Sequence, residues 1–447
     1  MLRLALAVAL GLAAVASHAQ TDRPPDADRF VRVEDGLLVR DGAPYYFAGA
    51  NLWFGMNLGS DGEGGDRERL IRELDRLDAL GIDNLRVLAV SEGPSSEPWR
   101  VQPAVQNAPG EIDEALWEGL DFLLAELAAR DMTAVLVLNN FFQWSGGMAQ
   151  YVSWATGTPI PYPNAGEHTW DEFQMYAARF YTNEDAMRMA DDTIRRLVLR
   201  TNTVTGVPYR DDPTVMAWQL GNEPRGFQNS DAYVLWADRT AGLIQALDPN
   251  HLVSLGGEGK LQNGYDAPQP QFERVSRSPN LDYLTIHIWI ENWGWYQPTA
   301  ADPDASFYPA VANALAYLGD HAAIADELSK PVVVEEFGAS RDGGTYDPAA
   351  TTAYRDRYYR QLFGAVAYLA EAGRPVMGTN VWSWAGEARP LRPGEPWRVG
   401  DPLIGDPPHE DQGWYSIYDA DANTQAVLAA HAERMRALRE GTESGSR

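Results

Sequence analysis

The chain has 447 residues, of which 45% are hydrophobic and 22% charged, so a disordered protein is excluded and one large core, or about two or three ordinary domains, can form. The net charge of −27 argues against nucleic acid and anionic membrane surfaces as partners, because both would repel the protein. Since the chain has no cysteine, disulfides, thiolate chemistry and cysteine-ligated metal are also excluded.

A neutral substrate is compatible with this charge. The chain contains 15 tryptophans and 20 tyrosines, and such rings bind sugars by stacking on their apolar faces. The alternative is that most of these rings belong to the core. The aromatic content therefore suits a polysaccharide ligand without proving one.

The first residues have the pattern of a signal peptide. Arg3 precedes an apolar run at 4–16, and Ser17-His18-Ala19 supplies the small residues that signal peptidase cleaves after. A membrane anchor is the alternative, but the run is shorter than the roughly 20 residues that a membrane span needs. We expect a signal peptide over 1–19, a linker over 20–28 and a secreted or periplasmic protein that has no membrane contact after cleavage.

The rest of the chain alternates strand-like and helix-like runs after a small hairpin at 30–46. Strands are predicted at 46–53, 84–88, 133–138, 215–220, 251–255, 281–287, 331–336 and 376–382. Helices are predicted at 66–80, 113–129, 183–201, 231–247, 305–328, 351–372 and 424–439. No helix is evident between 255 and 281. This order predicts a single (β/α)8 TIM barrel over 29–440, followed by a disordered tail at 441–447.

Long loops are predicted on the catalytic face of this barrel. The segments 141–163 and 385–415 both follow strands, and the loops after the strands form the active-site end of a barrel. Loops of this length commonly shape a binding cleft.

Acidic residues stand at the ends of two predicted strands. The run at 215–220 ends in Gly221-Asn222-Glu223-Pro224, and the run at 332–334 ends in Glu335-Glu336. Neighbouring residues on a strand face opposite sides, so one acid of the second pair faces the pocket, and the spacing leaves open which one. Two carboxyl groups over one pocket provide what glycosidic bond cleavage needs, and two unrelated structural acids are the alternative.

Short motifs on the second, fourth, sixth, seventh and eighth predicted strands resemble the retaining glycoside hydrolases of family 5, in clan A. They are Leu85-Arg86, Asn222-Glu223-Pro224, His287-Ile288-Trp289, Glu336-Phe337-Gly338 and Trp382-Ser383-Trp384. The stretches 139–147, 285–293, 405–408 and 412–415 make the chain most similar to bacterial endo-β-1,4-mannanases. The resemblance covers nearly the whole mature chain.

The resemblance implies a role for each polar residue near the two acids. Glu223 would be the acid/base and Glu336 the nucleophile, while Asn222 would bond the 2-hydroxyl of the sugar at the cleaved bond. Arg86 would keep Glu336 ionised, with a structural ion pair as the alternative. His287 would bond to the sugar or to the nucleophile, with a core histidine as the alternative.

The resemblance also implies an aromatic lining for the site. Trp384 would be the platform for the sugar ring, and Trp289 stands where many relatives have a tyrosine whose hydroxyl touches the nucleophile. That role is in doubt here because an indole offers only a donor. Further substrate-binding positions are Trp53, Asn139, Trp144 and Trp293, and for each tryptophan core or loop packing is the alternative.

No cofactor or metal is expected. The seven histidines show no paired spacing typical of a metal site, and no glycine-rich phosphate loop follows a strand. The resemblance implies double-displacement hydrolysis of internal β-1,4 bonds in mannan-type, neutral polysaccharides. Alternatives are the same reaction on cellulose or glucomannan and, in another class, a non-catalytic polysaccharide-binding barrel. The oligomeric state is not indicated.

Overall fold

The computed structural model describes residues 27–260 and 271–445, and an eight-stranded parallel sheet lies at its centre. In chain order the strands are β1 Phe47–Asn51, β2 Asn84–Leu88, β3 Thr133–Val137, β4 Val215–Gln219, β5 Leu252–Ser254, β6 Leu284–Ile288, β7 Val332–Phe337 and β8 Val376–Val381. Each strand pairs with its sequence neighbour, β8 pairs with β1, and a parallel bridge between Ser254 and Tyr283 joins β5 to β6. The sheet therefore closes into the predicted (β/α)8 barrel.

The outer layer consists of helices that follow the strands. They are α1 Arg67–Ala79, α2 Glu114–Ala128, α3 Glu184–Val198, α4 Ser230–Leu247, α5 Gln271–Ser276, α6 Asp304–Leu328, α7 Ala353–Glu371 and α8 Ala422–Gly445. The side chains of Asp66, Asp113 and Asn183 cap the first turns of α1, α2 and α3. Because helices cover the outside and side chains fill the inside, every residue of the eight strands is buried, which explains their continuous apolar runs.

Two differences from the sequence prediction concern helices. The short helix α5 occupies the interval in which none is evident from the sequence. The last helix continues to Gly445, so the tail that we expected to be disordered is helical over 441–445. The predicted signal peptide and nearly all of the linker lie outside the described residues.

The last helix closes the barrel against its first strand. Met435 of α8 is fully buried, and the Arg439 guanidinium donates to the Tyr46 carbonyl and contacts the Asp83 carboxylate. Tyr46 and Asp83 immediately precede β1 and β2. The last helix of the barrel therefore packs where its first two strands begin.

The predicted N-terminal hairpin is present. Strands Arg32–Glu34 and Leu37–Arg40 pair antiparallel, and Asp35 and Gly36 turn the chain with φ of 51° and 79°. The Arg40 guanidinium contacts Asp131, which lies in the loop before β3. The hairpin thus covers the N-terminal end of the barrel, opposite the loops that follow the strands.

The loops after β3 and β8 meet above the C-terminal end of the barrel. The first contains the helices Gly147–Thr156 and Trp170–Ala177. The Asn164 side chain donates to the carbonyl of His409 at 3.0 Å, and the rings of Trp170 and His409 are 6.0 Å apart. The barrel mouth is therefore bridged on one side. Within the described ranges, no helix is long and apolar enough to cross a membrane.

Candidate active site

Glu223 is turned into the barrel mouth by the backbone that follows β4. Its φ is +50°, a region that residues other than glycine rarely adopt, and its N–H donates to the carbonyl of Gly256 at 2.9 Å. The neighbouring Asn222 donates its N–H to the carbonyl of Asn139 at 2.9 Å. These bonds to the adjacent strands fix the carboxyl group over the pocket, where it is 8% exposed.

The structure resolves which acid of the β7 pair faces the site. Glu336 lines the same cavity as Glu223. The side chain of Glu335 lies beneath the site and is fully buried, and both of its oxygens accept from Gln219 Nε2 at 2.8 Å. The nucleophile implied by the family resemblance therefore has the required orientation.

The two facing carboxyl groups are close together. One oxygen from Glu223, one oxygen from Glu336 and a ring nitrogen of His287 all lie within 4.8 Å of one another. Retaining glycosidases hold their carboxyl groups roughly 5 to 5.5 Å apart, whereas inverting enzymes need roughly 6.5 to 9.5 Å to admit a water molecule. An approach of this closeness is compatible with the retaining arrangement.

Arg86 links the nucleophile to Asn222. Its Nη1 donates to Glu336 Oε1, its Nη2 donates to Asn222 Oδ1 at 2.8 Å, and its Nε donates to Gln219 Oε1 at 2.8 Å. Asn222 Nδ2 also donates to Asn140 Oδ1 at 3.2 Å. Because an amide nitrogen has two hydrogens, this network holds Asn222 in place and leaves it one N–H for a sugar hydroxyl.

His287 joins the two carboxyl groups from below. Its Nδ1 is 2.6 Å from Glu223 Oε1 and 3.3 Å from Glu336 Oε2, and its side chain is fully buried. Burial alone would lower the pKa of His287, but the charge of Glu336 and the bond to Glu223 outweigh it and raise the pKa to about 10. His287 is therefore a charged member of the site and not a neutral core histidine.

Protons are shared within this cluster. Burial raises the pKa of Glu336 to about 7, against the charges of His287 and Arg86. Burial acts in the same direction on Glu223, but the bond and charge of His287 outweigh it and lower the pKa. Since coupled groups titrate together, the proton can be held by either acid. Arg86 is permanently charged and contacts Glu336, so we assign the ionised form to Glu336 and the proton to Glu223 in the reacting state.

The cavity above these groups has a volume of about 520 Å³ and a mixed lining. Its aromatic residues include Trp144, Trp170, Trp289, Trp293, Trp382 and Trp414, and its polar residues include Asn222, Arg225, Glu258, Asn292 and Glu410. Flat rings interspersed with hydrogen-bonding groups suit a sugar, which has apolar faces and polar edges.

In the motif Trp382-Ser383-Trp384, the tryptophan that lines the cavity is Trp382 and not Trp384, the predicted sugar platform. Trp384 is fully buried beneath the site, where its Nε1 donates to Glu73 Oε2 at 2.9 Å. Trp382, two residues earlier, lines the cavity and packs edge-on against Trp144 and Trp289. The motif predicts a tryptophan in the site, but the path of the chain after β8 determines which of its two tryptophans lines the cavity.

Two further predicted substrate-binding residues stand behind the cavity wall. Trp53 is 2% exposed and donates to the carbonyl of Gly405 at 2.8 Å, with its ring against Trp144. The side-chain oxygen of Asn139 accepts from the backbone of Asn140 at 2.8 Å. Neither Trp53 nor Asn139 is part of the cavity lining, so both support the residues that are. Of the predicted wall residues, Trp144 and Trp293 do line the cavity.

Trp289 lines the cavity without taking over the role of the tyrosine found in many relatives. Its ring lies 5.0 Å from that of Tyr415 and 6.0 Å from that of Trp382. The Tyr415 hydroxyl donates to Asn292 Oδ1 at 2.5 Å. The carboxylate of Glu336 is instead contacted by a guanidinium and an imidazole, as described above.

Several cavity residues were not identified from the sequence. Arg225 follows Glu223 by two residues and forms a two-point ion pair with Glu258 at 2.7 and 2.9 Å. Because Arg225 is so close in sequence to the predicted acid/base, it could have been predicted as a site residue from the sequence. Trp414 and Glu410 belong to the long loop after β8, and no local pattern indicates that this loop folds back over the mouth.

The donor atoms of Glu223, His287 and Glu336 are close enough together to hold a metal ion. The imidazole nitrogen already bonds Glu223, and the Arg86 guanidinium contacts Glu336, so a second positive charge would be repelled there. The retaining reaction requires no ion. These residues are therefore assigned to proton transfer and nucleophilic attack.

Comparisons with known proteins agree with this geometry. The family model described as GH family 5 beta-mannosidase-like matches residues 28–440. A glycoside hydrolase family 5 mannosidase from Rhizomucor miehei is 39% identical with a TM-score of 0.85, over 93% of this chain and 99% of that chain. A mutant of that fungal mannosidase is described in complex with mannosyl-fructose.

Curated plant proteins are also similar. Mannan endo-1,4-beta-mannosidase 2 from Arabidopsis thaliana is 29% identical over 79% of this chain and 78% of its own length. Mannan endo-1,4-beta-mannosidase 2 from Oryza sativa subsp. japonica is 28% identical over 80% of this chain and 77% of its own length. The similarity covers about four fifths of this chain in both cases.

Proposed function

The chain belongs to glycoside hydrolase family 5, in its β-mannosidase-like group, and we propose that it hydrolyses internal β-1,4-mannosidic bonds of mannan-type polysaccharides with net retention. The single observation that carries the proposal is the approach of Glu223 and Glu336 within 4.8 Å over an aromatic cavity. The names of the plant relatives and of the fungal mannosidase support the sugar and the linkage.

The reaction has two steps. In the first, the Glu336 carboxylate attacks the anomeric carbon while Glu223 gives its proton to the departing oxygen, which takes the electron pair of the broken bond. In the second, Glu223 removes a proton from water, and the resulting oxygen displaces Glu336. Asn222 holds the 2-hydroxyl, where a hydrogen bond strengthens as positive charge develops on the sugar.

Digestion of linear β-1,4-mannan, followed by proton NMR of the first products, tests substrate and stereochemistry together. We expect the β-anomer to form first, and immediate formation of the α-anomer would contradict the retaining mechanism. Glu223→Ala and Glu336→Ala should each lower kcat by at least about 100-fold. Glu433→Ala, an exposed acid on α8, is the matched control and should retain the activity.

Selection of mannose over glucose is part of the proposal. The same machinery acting on cellulose or glucomannan is the competing reading, because the two sugars differ in the orientation of one hydroxyl. Parallel digests of linear mannan, glucomannan and cellulose with reducing-end quantification discriminate between them. Faster release from cellulose than from mannan would overturn the substrate assignment.

The bridge across the mouth favours a second mode of action, exo cleavage, in which sugars are released from the end of the polysaccharide chain. The bond from Asn164 to His409 closes the space above the cavity on one side, and a closed end admits a chain terminus more easily than a chain interior. Viscosity loss compared with reducing-end release on mannan separates the modes, since internal cleavage lowers viscosity early. Asn164→Ala should raise early viscosity loss if the bridge blocks longer chains.

Export completes the proposal. The pattern of Arg3, the apolar run at 4–16 and Ser17-His18-Ala19 supports cleavage after Ala19. Expression of the full chain with its own N-terminus, followed by N-terminal sequencing of the extracellular and periplasmic fractions, should find Gln20 first. Full-length protein retained in the cytoplasm would contradict it.

A further inference from the structure

Glu335 is a buried acid that the mechanism above does not use. Its side chain has no exposed surface, and it lies within β7 beside the nucleophile, at an irregularity in the pairing with β6 where both acids reach Arg86 and His287. Gln219 Nε2 bonds both carboxylate oxygens at 2.8 Å. Burying an ionised carboxylate is costly unless nearby positive charge compensates it, so its charged partners indicate what it does.

Two cations face this carboxylate. Glu335 Oε2 lies 3.5 Å from Arg86 Nε and 3.8 Å from His287 Nε2. His287 Nε2 is buried and has no hydrogen-bond partner among the described residues, so the charge of Glu335 is its nearest compensation. The other ring nitrogen of the same histidine bonds the acid/base residue. Glu335 and Glu223 therefore face opposite edges of one imidazole.

The titratable groups around this imidazole come from three strands. Glu223 and Glu258 follow β4 and β5, and Glu258 also accepts the backbone N–H of His287 through its carbonyl at 3.0 Å. Glu335 and Glu336 belong to β7. Glu258 is already paired with an arginine at 2.7 and 2.9 Å, as described above. The carboxylate of Glu335 is thus the acid that compensates His287 without itself reacting.

The charges balance only if the histidine is protonated. Before the reaction, Glu223 is neutral, Glu335 and Glu336 are anionic, and Arg86 and His287 are cationic, so the buried cluster has no net charge. When the glycosyl-enzyme forms, Glu223 has lost its proton to the leaving oxygen and Glu336 has become a neutral ester. The cluster is again neutral, because one negative charge has moved from one catalytic acid to the other.

We propose that Glu335 is a positioning residue whose buried charge holds His287 as an imidazolium throughout the glycosylation step. The imidazolium then donates a fixed hydrogen bond to Glu223 and stabilises the negative charge that appears there as the proton departs. The inference rests on the proposed glycosidase function for its catalytic consequence. The protonation of His287, which the inference predicts for the free protein, can be measured without substrate.

The direct test is a titration of the histidine rings by 15N NMR in the unliganded protein. The His287 signal is assigned from the spectrum of His287→Gln, in which it is missing. In the unsubstituted protein, His287 should remain an imidazolium from pH 5 to pH 9, in line with its pKa of about 10. In Glu335→Gln, the midpoint should fall by at least about one pH unit, since a compensating charge has been lost.

Two variants control for structural disturbance. Glu335→Asp keeps the negative charge and should restore the titration of His287 towards that of the unsubstituted protein. Glu92→Gln removes a fully buried carboxylate that, like Glu335, accepts two hydrogen bonds, here from Gly147 and Tyr151 at 2.9 Å. It lies outside the cluster and should leave both the His287 titration and kcat unchanged.

Kinetics supply the second readout. Glu335→Gln should lower kcat on mannan by about tenfold or more with KM within about twofold, because the lost stabilisation belongs to the transition state. A neutral His287 at pH 7 in the unsubstituted protein, or an unchanged midpoint in folded Glu335→Gln, overturns the proposal. If Glu335→Gln does not fold, the titration of the unsubstituted protein decides alone. Absence of mannan hydrolysis with the expected titration would instead refute the proposed function.

Discussion

Replacing Trp382 and Trp384 by phenylalanine, one at a time, distinguishes the tryptophan that lines the sugar cavity from the one that is buried beneath it. Trp384→Phe removes an indole N–H that bonds the fully buried carboxylate of Glu73 at 2.9 Å. A hydrogen bond to a charged group contributes about 1.5–3 kcal/mol, and the lost ring volume adds to this. Glu73 keeps its bond from the backbone of Glu387 at 2.9 Å, so we expect the lower part of that range.

Trp382→Phe acts on the substrate instead. The indole of Trp382 lines the cavity and is only 4% exposed in the free protein. At this exposure, exchange for the smaller ring removes at most roughly 10 Å² of apolar contact with a sugar, which at about 25 cal/mol per Å² corresponds to about 0.25 kcal/mol, or roughly a 1.5-fold loss in kcat/KM. The effect on folding stability should be smaller than that of Trp384→Phe.

The two variants should therefore show opposite profiles. Urea unfolding followed by circular dichroism measures the free energy of unfolding, and initial rates on linear mannan at low substrate concentration measure kcat/KM. Trp384→Phe should be destabilised with nearly normal kcat/KM per folded molecule, and Trp382→Phe should be stable and slower. A selective loss of kcat/KM in Trp384→Phe with unchanged stability would refute the placement of the platform.

Three further predictions follow from the buried charges. Arg86→Lys should lower kcat on mannan by at least about 100-fold while the protein stays folded, because a lysine cannot contact three acceptors with a planar fork; near-normal kcat would contradict this. Burial raises the pKa of Glu336 to about 7, and because the two acids share one proton, the pair loses that proton as the pH rises through about 7; kcat/KM should therefore fall above about pH 7, and a flat profile between about pH 6 and 9 would count against it. Burial also raises the pKa of Asp282 to about 6. The folded state therefore holds the proton of the Asp282 carboxyl group more tightly than the unfolded state does. The free energy of unfolding should fall by at most about 3 kcal/mol as the pH rises from about 4 to 6. Urea unfolding at both pH values should show that Asp282→Asn removes this dependence, and an equal dependence in both proteins would disprove the assignment.

The barrel was predictable because its signals are local and repeated. Continuous apolar runs, capped helices and acids at strand ends each follow from a few neighbouring residues, and their order indicates the closed sheet. The helix Gln271–Ser276 was missed because six residues carry too little periodicity to be distinguished from a loop. The helical segment after 440 was missed because its glycine and small polar residues suggested a tail.

The site was predictable in its acids but not in its walls. Glu336 and Arg86 lie on strands and Glu223 closely follows one; since the sheet fixes the register of these strands, their convergence follows from the fold. The choice between Trp382 and Trp384 depends on how the chain turns after β8, and the motif itself contains both. The approach of Asn164 to His409 joins loops more than 200 residues apart, which no local pattern encodes.

The packing of the final helix against the first strand has a consequence for biosynthesis. Met435 and Arg439 complete the wall around β1, so the first strand of the barrel is covered by a helix that follows all eight barrel strands in the chain. A growing chain that lacks α8 has an uncovered apolar strand and cannot finish its barrel. The order of synthesis therefore postpones completion of the barrel until the residues of α8 have been made.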